Sequence, residues 1–477
     1  MSKDYALKWI DENESHFTNV SDNIWEYAEL GLQEFKSSAL LANILEENGF
    51  EVEYGVAGMP TAFVASYGEG VPVIGLMGEY DALSGLSQKS IPERRPEIEG
   101  GPGHGCGHNI HGTSGMAAAI AVSKAIEVDG VIGTVKFFGC PAEETLVGKV
   151  FMVRDGVFDD VDAVFSHHSG TMNAAKLRSS NALNSIKFNF CGVASHAGSA
   201  PHRGRSALDA VELMNIGVNF MREHVVQEAR VHYIIEDGGG APNVVPASAR
   251  SWYYVRAPER AQVEHVYNWI LKIAEGAALM TDTTYDHELL TGCYNLLTLE
   301  SMANLVVKTM REIGPPTYTS EEMRFAKGIQ STIRPENIVE ELKRSKRHDW
   351  QNLRDVIIDR SVPDPWGRGD VMGASTDVGD VSWKAPSIEF NTATWVLGTP
   401  SHSWQIVALG KNSIAHKSLI FAAKIMASCV LDTLTNSSLL QRIQAEWKEA
   451  KQGAEYVSPL PPDLKPPFDQ FASKPAR

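Results

Sequence analysis

Cysteine is scarce in this chain. Its five cysteines, Cys106, Cys140, Cys191, Cys293 and Cys429, are odd in number and widely spaced. That excludes a disulfide framework and points to a reducing cytoplasm. Positive charge is also in deficit: 43 Lys and Arg stand against 59 Asp and Glu, a net charge of −16. Nucleic acid needs a basic face, so none is expected as a partner. No stretch approaches the roughly 18 apolar residues of a membrane span. The start, Met1-Ser2-Lys3-Asp4-Tyr5-Ala6, lacks the apolar core of a secretory signal. A cytoplasmic protein with no membrane partner is expected. There is no repeat of fixed period and no Gly-x-Ser-x-Gly elbow for a nucleophilic serine.

What remains is an acidic chain of 477 residues, 43% hydrophobic and 21% charged, as soluble globular proteins are. That length favours two domains or three over one. Two amphipathic helices are expected between Asp4 and Leu45. Val71 to Gly78 is a nearly continuous apolar run, the mark of a strand buried on both faces. A buried Ala-rich helix over Gly112–Ile126 and strands at Gly133–Gly139 and Val161–Ser166 follow. Strand, helix, strand at this spacing implies an α/β fold with a mostly parallel sheet. From Asn184 the pattern changes to strand, helix, two strands, helix, strand. That is a small α+β layer of ferredoxin-like order. The expected domains are 1–183, an inserted 184–295, and 296–477 with a Pro-rich tail that traces the surface or stays mobile. Residues 316–370 are weakly patterned, with a helix only at Glu340–Lys346. A last helix covers Ser413–Leu434.

Candidate metal donors recur at or just past the expected strand ends, where open α/β sheets place their sites. Cys106 and His108 lie in the Gly-rich turn Gly103–Asn109, whose glycines let the backbone bend around a cation. His104 and His111 are read as supporting or surface residues. In Glu143-Glu144 one carboxylate suits a metal ion and the other a substrate water. Of His167 and His168 only one can reach the site, because successive strand residues face opposite ways. His402 follows a Gly-Thr-Pro-Ser turn. Asp81 either orients a ligand histidine or caps a helix. Ser375-Thr376-Asp377 reads as a helix cap. In the inserted segment, His196 lies on a Gly/Ala turn, and Asn243 and Arg256 could grip a carboxylate. Cys, His and carboxylate together are the donor set of Zn or Mn hydrolases.

Taken together, Gly105-Cys106-Gly107-His108-Asn109, Pro141-Ala142-Glu143-Glu144 and Ser195-His196-Ala197 resemble motifs of the M20 family of metallopeptidases and amidohydrolases. The resemblance is to its branch of aminoacylase-like and auxin-conjugate hydrolases, and it covers nearly the whole chain. Gly78–Leu83, Phe151–Asp162, Gly204–Val211 and Ala374–Trp383 are similar to a subgroup acting on aroyl-glutamate conjugates and built of two related subunits. Several features follow from that resemblance. It implies a catalytic domain interrupted by a lid, or dimerisation, domain, and two divalent ions, Mn or Zn. The implied ligands are Cys106, His108, Glu144, His168 and His402, with Glu143 as general base. It makes His196 the group that stabilises the oxyanion in a partner's site, and Asn243 and Arg256 the contacts to substrate carboxylate. Asp81 joins Glu143 and His196 in the catalytic set. The implied substrate is a small N-acyl amino acid, p-aminobenzoyl-glutamate among them. The implied assembly is a homodimer, or a hetero-oligomer with a related subunit. A dipeptidase or broad-specificity aminoacylase of the same family, and a non-catalytic metal-binding subunit that supports a homologous catalytic chain, are the alternatives. Two departures flank the pocket: His167-His168-Ser169 in place of Trp-His-Pro, and Thr145-Leu146-Val147 in place of a Gly-rich stretch.

Overall fold

Two kinds of strand pattern separate into two sheets in the computed structural model, which describes residues 2–468. Strands β1 (Glu51–Tyr54), β2 (Phe63–Glu69), β3 (Val73–Glu79), β4 (Gly133–Cys140) and β5 (Ala163–Gly170) come first. Then come β6 (Ala182–Cys191), β7 (Arg230–Asp237), β8 (Ser248–Ala257), β9 (Thr284–Cys293) and β10 (Ser387–Ala393). The first sheet has the order β1-β2-β4-β3-β5-β10. β4, β3, β5 and β10 run parallel, and β2 and β1 complete one edge antiparallel. The apolar run at β3 is buried at every position, as a central parallel strand requires. The second sheet is antiparallel, in the order β7-β8-β6-β9.

The helices in chain order begin with α1 (Ser2–Glu12), α2 (Glu14–Tyr27), α3 (Phe35–Glu47), α4 (His108–Asp129) and α5 (Gly148–Arg154). α6 (Ala207–Met221) and α7 (Arg260–Thr281) belong to the antiparallel unit. α8 (Glu300–Ile313), α9 (Ser320–Gln330), α10 (Pro335–Arg344) and α11 (Val378–Lys384) follow, then α12 (Trp404–Leu409), α13 (Ser413–Thr435) and α14 (Ser437–Ala450). α4 and α13 pack together on one face of the parallel sheet, while α5 and α11 pack together over the other. α4 lies close because Gly112 carries no Cβ; one there would meet the Glu79 carbonyl oxygen at 2.7 Å. α6 and α7 cover one face of the antiparallel sheet. Strand, helix, two strands, helix, strand with this order is the ferredoxin-like arrangement, here spanning Ala182–Cys293. Where the chain enters and leaves this unit, buried Arg260 donates from Nη1 to the carbonyls of Leu183 (3.1 Å) and Cys293 (3.3 Å).

The structure corrects several expectations. Residues 4–45 form three helices, since Asn13 breaks the first pattern. α4 begins at His108, before the Ala-rich part. β5 runs on to Gly170, so His168 lies inside a strand. β6, expected to be half-buried, is buried over most of its length, at the centre of its sheet between β8 and β9. The weakly patterned 316–370 holds α9 and α10. α13 has the length and composition of a membrane span, against the expectation that no stretch does. Yet 83% of its apolar window is buried, so it is a core helix. The Pro-rich tail packs in part: Leu460 is buried and Arg154 donates to the Leu464 carbonyl at 2.5 Å. Residues 469–477 of that tail lie outside the described residues.

Candidate metal centre

The parallel strands end along one edge, and the loops beyond them supply the chemistry. Side chains alternate along a strand. Leu76, Phe137, Phe165 and Phe390 face the α4–α13 core, whereas Met77, Phe138 and Val164 face the opposite side. Continued alternation puts Glu79 and His168 on that second face and His167 on the first. His167 accordingly meets Ser114 Oγ (3.2 Å) and Thr392 Oγ1 (2.7 Å) in the core. His168 Nε2 lies 3.3 Å from Cys106 Sγ. Its Nδ1 sits 2.8 Å from the Ser169 carbonyl and donates there, which turns Nε2 toward Cys106.

His108, first residue of α4, is oriented in the same way. Its Nδ1 donates to Asp81 Oδ1 at 2.7 Å, and Asp81 Oδ2 accepts the Glu144 N–H at 3.0 Å. Asp81 thus orients the His108 ring and holds the glutamate turn, and caps no helix. His108 Nε2 points inward, 3.3 Å from Glu79 Oε2 and 3.9 Å from Glu143 Oε2. The glutamate pair is presented by a strained turn. Ala142 (φ 54°) and Leu146 (φ 57°) flank it in the left-handed region, where a side chain costs about 1 kcal/mol each. His402 (φ 52°) closes the set, its Nε2 3.3 Å from Glu144 Oε2. It is also the exposed member, with 52% of its side chain accessible.

The electrostatics of the cluster favour a cation. Burial, with Glu79 and Asp377 nearby, raises the Glu143 carboxyl well above the usual range. Burial and the Cys106 sulfur push Glu144 up to about 8. Burial opposes a thiolate at Cys106, but His168 and His108 override it and hold the thiol well below its ordinary value.

Among the described residues four groups of donor atoms lie within 4.8 Å of one another, and two of them include sulfur: Cys106, His108 and His168, and Cys106, Glu144 and His402. Cys106 stands in both. His108 Nε2 and Glu144 Oε1 are buried without a hydrogen-bond partner. Sulfur, imidazole and carboxylate donors at that spacing, with lone pairs unclaimed, fit divalent ions of the Zn or Mn kind. His111 also lies close to Glu79 and His108, but both its nitrogens are committed. Nε2 accepts the Ser169 N–H at 2.8 Å, so Nδ1 donates to Glu79 Oε2 at 3.2 Å. His104 is buried too, bonded to the Ile24 carbonyl. Neither histidine is a surface residue.

Sequence reasoning missed Glu79, Lys149, Thr376 and Asp377. Asp377, expected as a cap, makes no side-chain cap bond; it is buried and ion-paired to Lys149 at 2.6 Å. Thr376 Oγ1 donates to Glu143 Oε1 at 3.0 Å. The candidates of the antiparallel unit fall differently. Arg256 Nη1 reaches Ser375 Oγ at 3.3 Å, beside Thr376. His196 and Asn243 are exposed and adjacent: Ala197 N–H donates to the Asn243 carbonyl at 2.9 Å. His196 Nδ1 accepts from the N–H groups of Gly198 (3.2 Å) and Ser199 (3.1 Å). Among the described residues, neither bonds to a donor of the metal centre.

Residues 75–353 match the family described as Peptidase family M20/M25/M40. The B subunit of p-aminobenzoyl-glutamate hydrolase from Escherichia coli strain K12 is 43% identical over 470 residues, covering 96% of this chain and 97% of that one. The Xaa-Arg dipeptidase of Mus musculus is 27% identical over 458 residues, covering 93% and 91%. In fold, the chain is similar to the Bacillus subtilis YXEP protein, described as a dinuclear metal binding peptidase from the M20 family. The TM-score is 0.55 at 18% identity, over 89% of this chain and 99% of that one.

Proposed function

Since this chain belongs to Peptidase family M20/M25/M40, we propose that its substrates are N-acyl amino acids, p-aminobenzoyl-glutamate first among them. That it is an amidohydrolase follows from the family and from its relative at 43% identity. The substrate choice rests on that relative's name. One observation carries the proposed site: Cys106 belongs to both donor groups, with the Glu143 carboxylate beside them. Two divalent ions, Zn or Mn, would be held by Cys106, His108, Glu144, His168 and His402. When bound, they supply polarisation of the amide carbonyl and acidification of a water.

The chain's own residues carry the remaining steps. Thr376 fixes Glu143 Oε1, which leaves Oε2 on the reactant side. Glu143 Oε2 accepts a proton from the attacking water as the new C–O bond forms. It then returns that proton to the amide nitrogen as the C–N bond breaks, so acid and amine leave with the proton balance closed. Asp81 keeps the His108 ring in register throughout. His196 of a second copy stabilises the oxyanion, and Asn243 and Arg256 take the substrate carboxylate. This division makes the working unit a homodimer. The relative is one of the component chains of its enzyme, which supports, as the alternative, a pairing with a related chain. Five unpaired cysteines suit the cytoplasm.

The test is hydrolysis of an amide panel by the whole chain loaded with Mn or Zn. The panel holds p-aminobenzoyl-glutamate, other N-acyl amino acids and Xaa-Arg dipeptides, with Glu143→Ala alongside. Turnover of aroyl-glutamate that vanishes in the variant is expected. Preference for dipeptides would replace the substrate assignment, and full activity of Glu143→Ala would remove the general base.

A further inference from the structure

Behind the metal donors lies an inner group of acids. One carboxylate oxygen each of Glu79, Glu143 and Asp377 falls within 4.8 Å of the other two, with Glu79 and Asp377 buried. Carboxylates taken out of water together repel, and each costs several kcal/mol unless it is paired. Such a group needs a cation, and the chain supplies one. Lys149 Nζ lies 2.6 Å from Glu79 Oε1 and 2.6 Å from Asp377 Oδ1, with none of its side chain exposed. Its backbone N–H also donates to Asp377 Oδ2 at 2.9 Å.

The backbone is shaped for this. A Cβ on Gly148 would stand 1.8 Å from the Pro141 carbonyl oxygen, so only glycine lets α5 begin directly behind the glutamate turn. Lys149 follows at once and reaches inward. Glu79 Oε2 then faces His108 Nε2 (3.3 Å) and His111 Nδ1 (3.2 Å). On the other side, Thr376, next to Asp377, holds Glu143. One ammonium therefore ties the end of β3 to the start of α11, and the metal ligand and the general base each touch one side of that tie.

We propose that Lys149 is a positioning residue that fills the inner acid group as a permanent cation. It keeps divalent ions on the Cys106 side and sets Glu79 and Thr376-Asp377 where His108 and Glu143 need them. The proposal takes the Cys106 groups as the metal centre, but its first readout is a count of bound ions, which stands whether or not any amide is turned over.

The experiment titrates the whole chain with Mn or Zn, removes free metal by gel filtration and measures ions per chain. Thermal melting is followed in parallel, and kcat and KM for any amide of the panel that is cleaved. The parent is expected to bind two ions and Lys149→Met three, the third lost again in Lys149→Met with Asp377→Asn. Lys149→Arg, which keeps the charge, should return the parental count. Turnover in Lys149→Met should fall about tenfold or more in kcat with KM little changed, as for other residues that orient metal ligands. A folded Lys149→Met with the parental ion count and kcat would overturn the proposal. Should Lys149→Met fail to fold, Asp377→Asn decides alone. The expected result is an unchanged ion count with lowered kcat. Loss of an ion would mean that the acids themselves hold metal, and unchanged kcat would remove the positioning role.

Discussion

His167 and His168 are neighbours in sequence and have opposite fates. His168→Ala should lower metal affinity tenfold or more while the fold persists. His167→Ala should leave metal binding intact and cost about 1–3 kcal/mol, because the hydroxyls of Ser114 and Thr392 lose a buried partner. Metal titration and melting of the two variants separate the outcomes. Glu143→Gln keeps the side chain's shape and one oxygen for Thr376 but cannot take a proton. It should bind the parental number of ions and lose a hundredfold or more in kcat; near-parental turnover would contradict it. The side chains that the structure gathers were legible in the sequence, because Cys and His are rare residue types and stand here with paired glutamates at strand ends. The choice between His167 and His168 needed the strand's phase. Lys149 and Asp377 gave no local signal at all. They are ordinary charged residues, and their bond joins positions 228 apart.

At the scale of elements, α9 shows how a weakly patterned segment is held. Thr319 and Glu322 form a capping box, and the Glu322 carboxylate also takes Ser413 Oγ and Lys417 Nζ at 2.7 Å each, both from α13. Burial works against that charge, but the bond from Lys417 and those from Thr319 and Ser413 hold the carboxyl down at about 2. A depressed carboxyl stabilises the fold above its unfolded value, and that stability is lost as pH falls toward about 2. Glu322→Gln should therefore cost about 2 kcal/mol at neutral pH, with the difference shrinking below about pH 4. Melting curves of both proteins across pH check this; a constant difference would contradict it. The Thr-x-x-Glu signal of α9 was present in the sequence, but only one face of the helix is apolar enough to bury. β10 escaped for another reason. Its alternate residues Glu389 and Asn391 turn to the side of the sheet that carries His168, so the strand does not read as an apolar run. The central strands and α4 were readable because both their faces, or all of them, are buried.

At the scale of the molecule, the exposed pair His196–Asn243 stands apart from the metal centre of its own chain. If each site borrows His196 from a second copy, two inactive variants can repair each other. Glu143→Ala mixed with His196→Ala and allowed to exchange protomers should recover about a quarter of parental activity, because half the dimers carry one intact site. No recovery after proven exchange would mean that His196 serves no neighbouring site. Arg260, tying both crossings into the antiparallel unit, belongs to this scale as well. Arg260→Ala should leave ion binding untouched and lower kcat, since the unit that carries His196, Asn243 and Arg256 loses its fixed seat. Ion counts and turnover measured together test it.

The late arrival of β10 also sets an order of events at the ribosome. β3 reaches only Ala163–Phe165 of β5, so His167 and His168 pair along their backbone with β10 alone. Residues 182–293 are contiguous and can close their own sheet as soon as they leave the exit tunnel. The half-built parallel sheet must meanwhile wait for Ser387–Ala393, and for α13 beyond it, with the end of β5 bare. A nascent chain halted before that point offers an open strand edge to any other nascent strand nearby. The segment that carries His167 and His168 is thus the last part of the sheet to be sheltered.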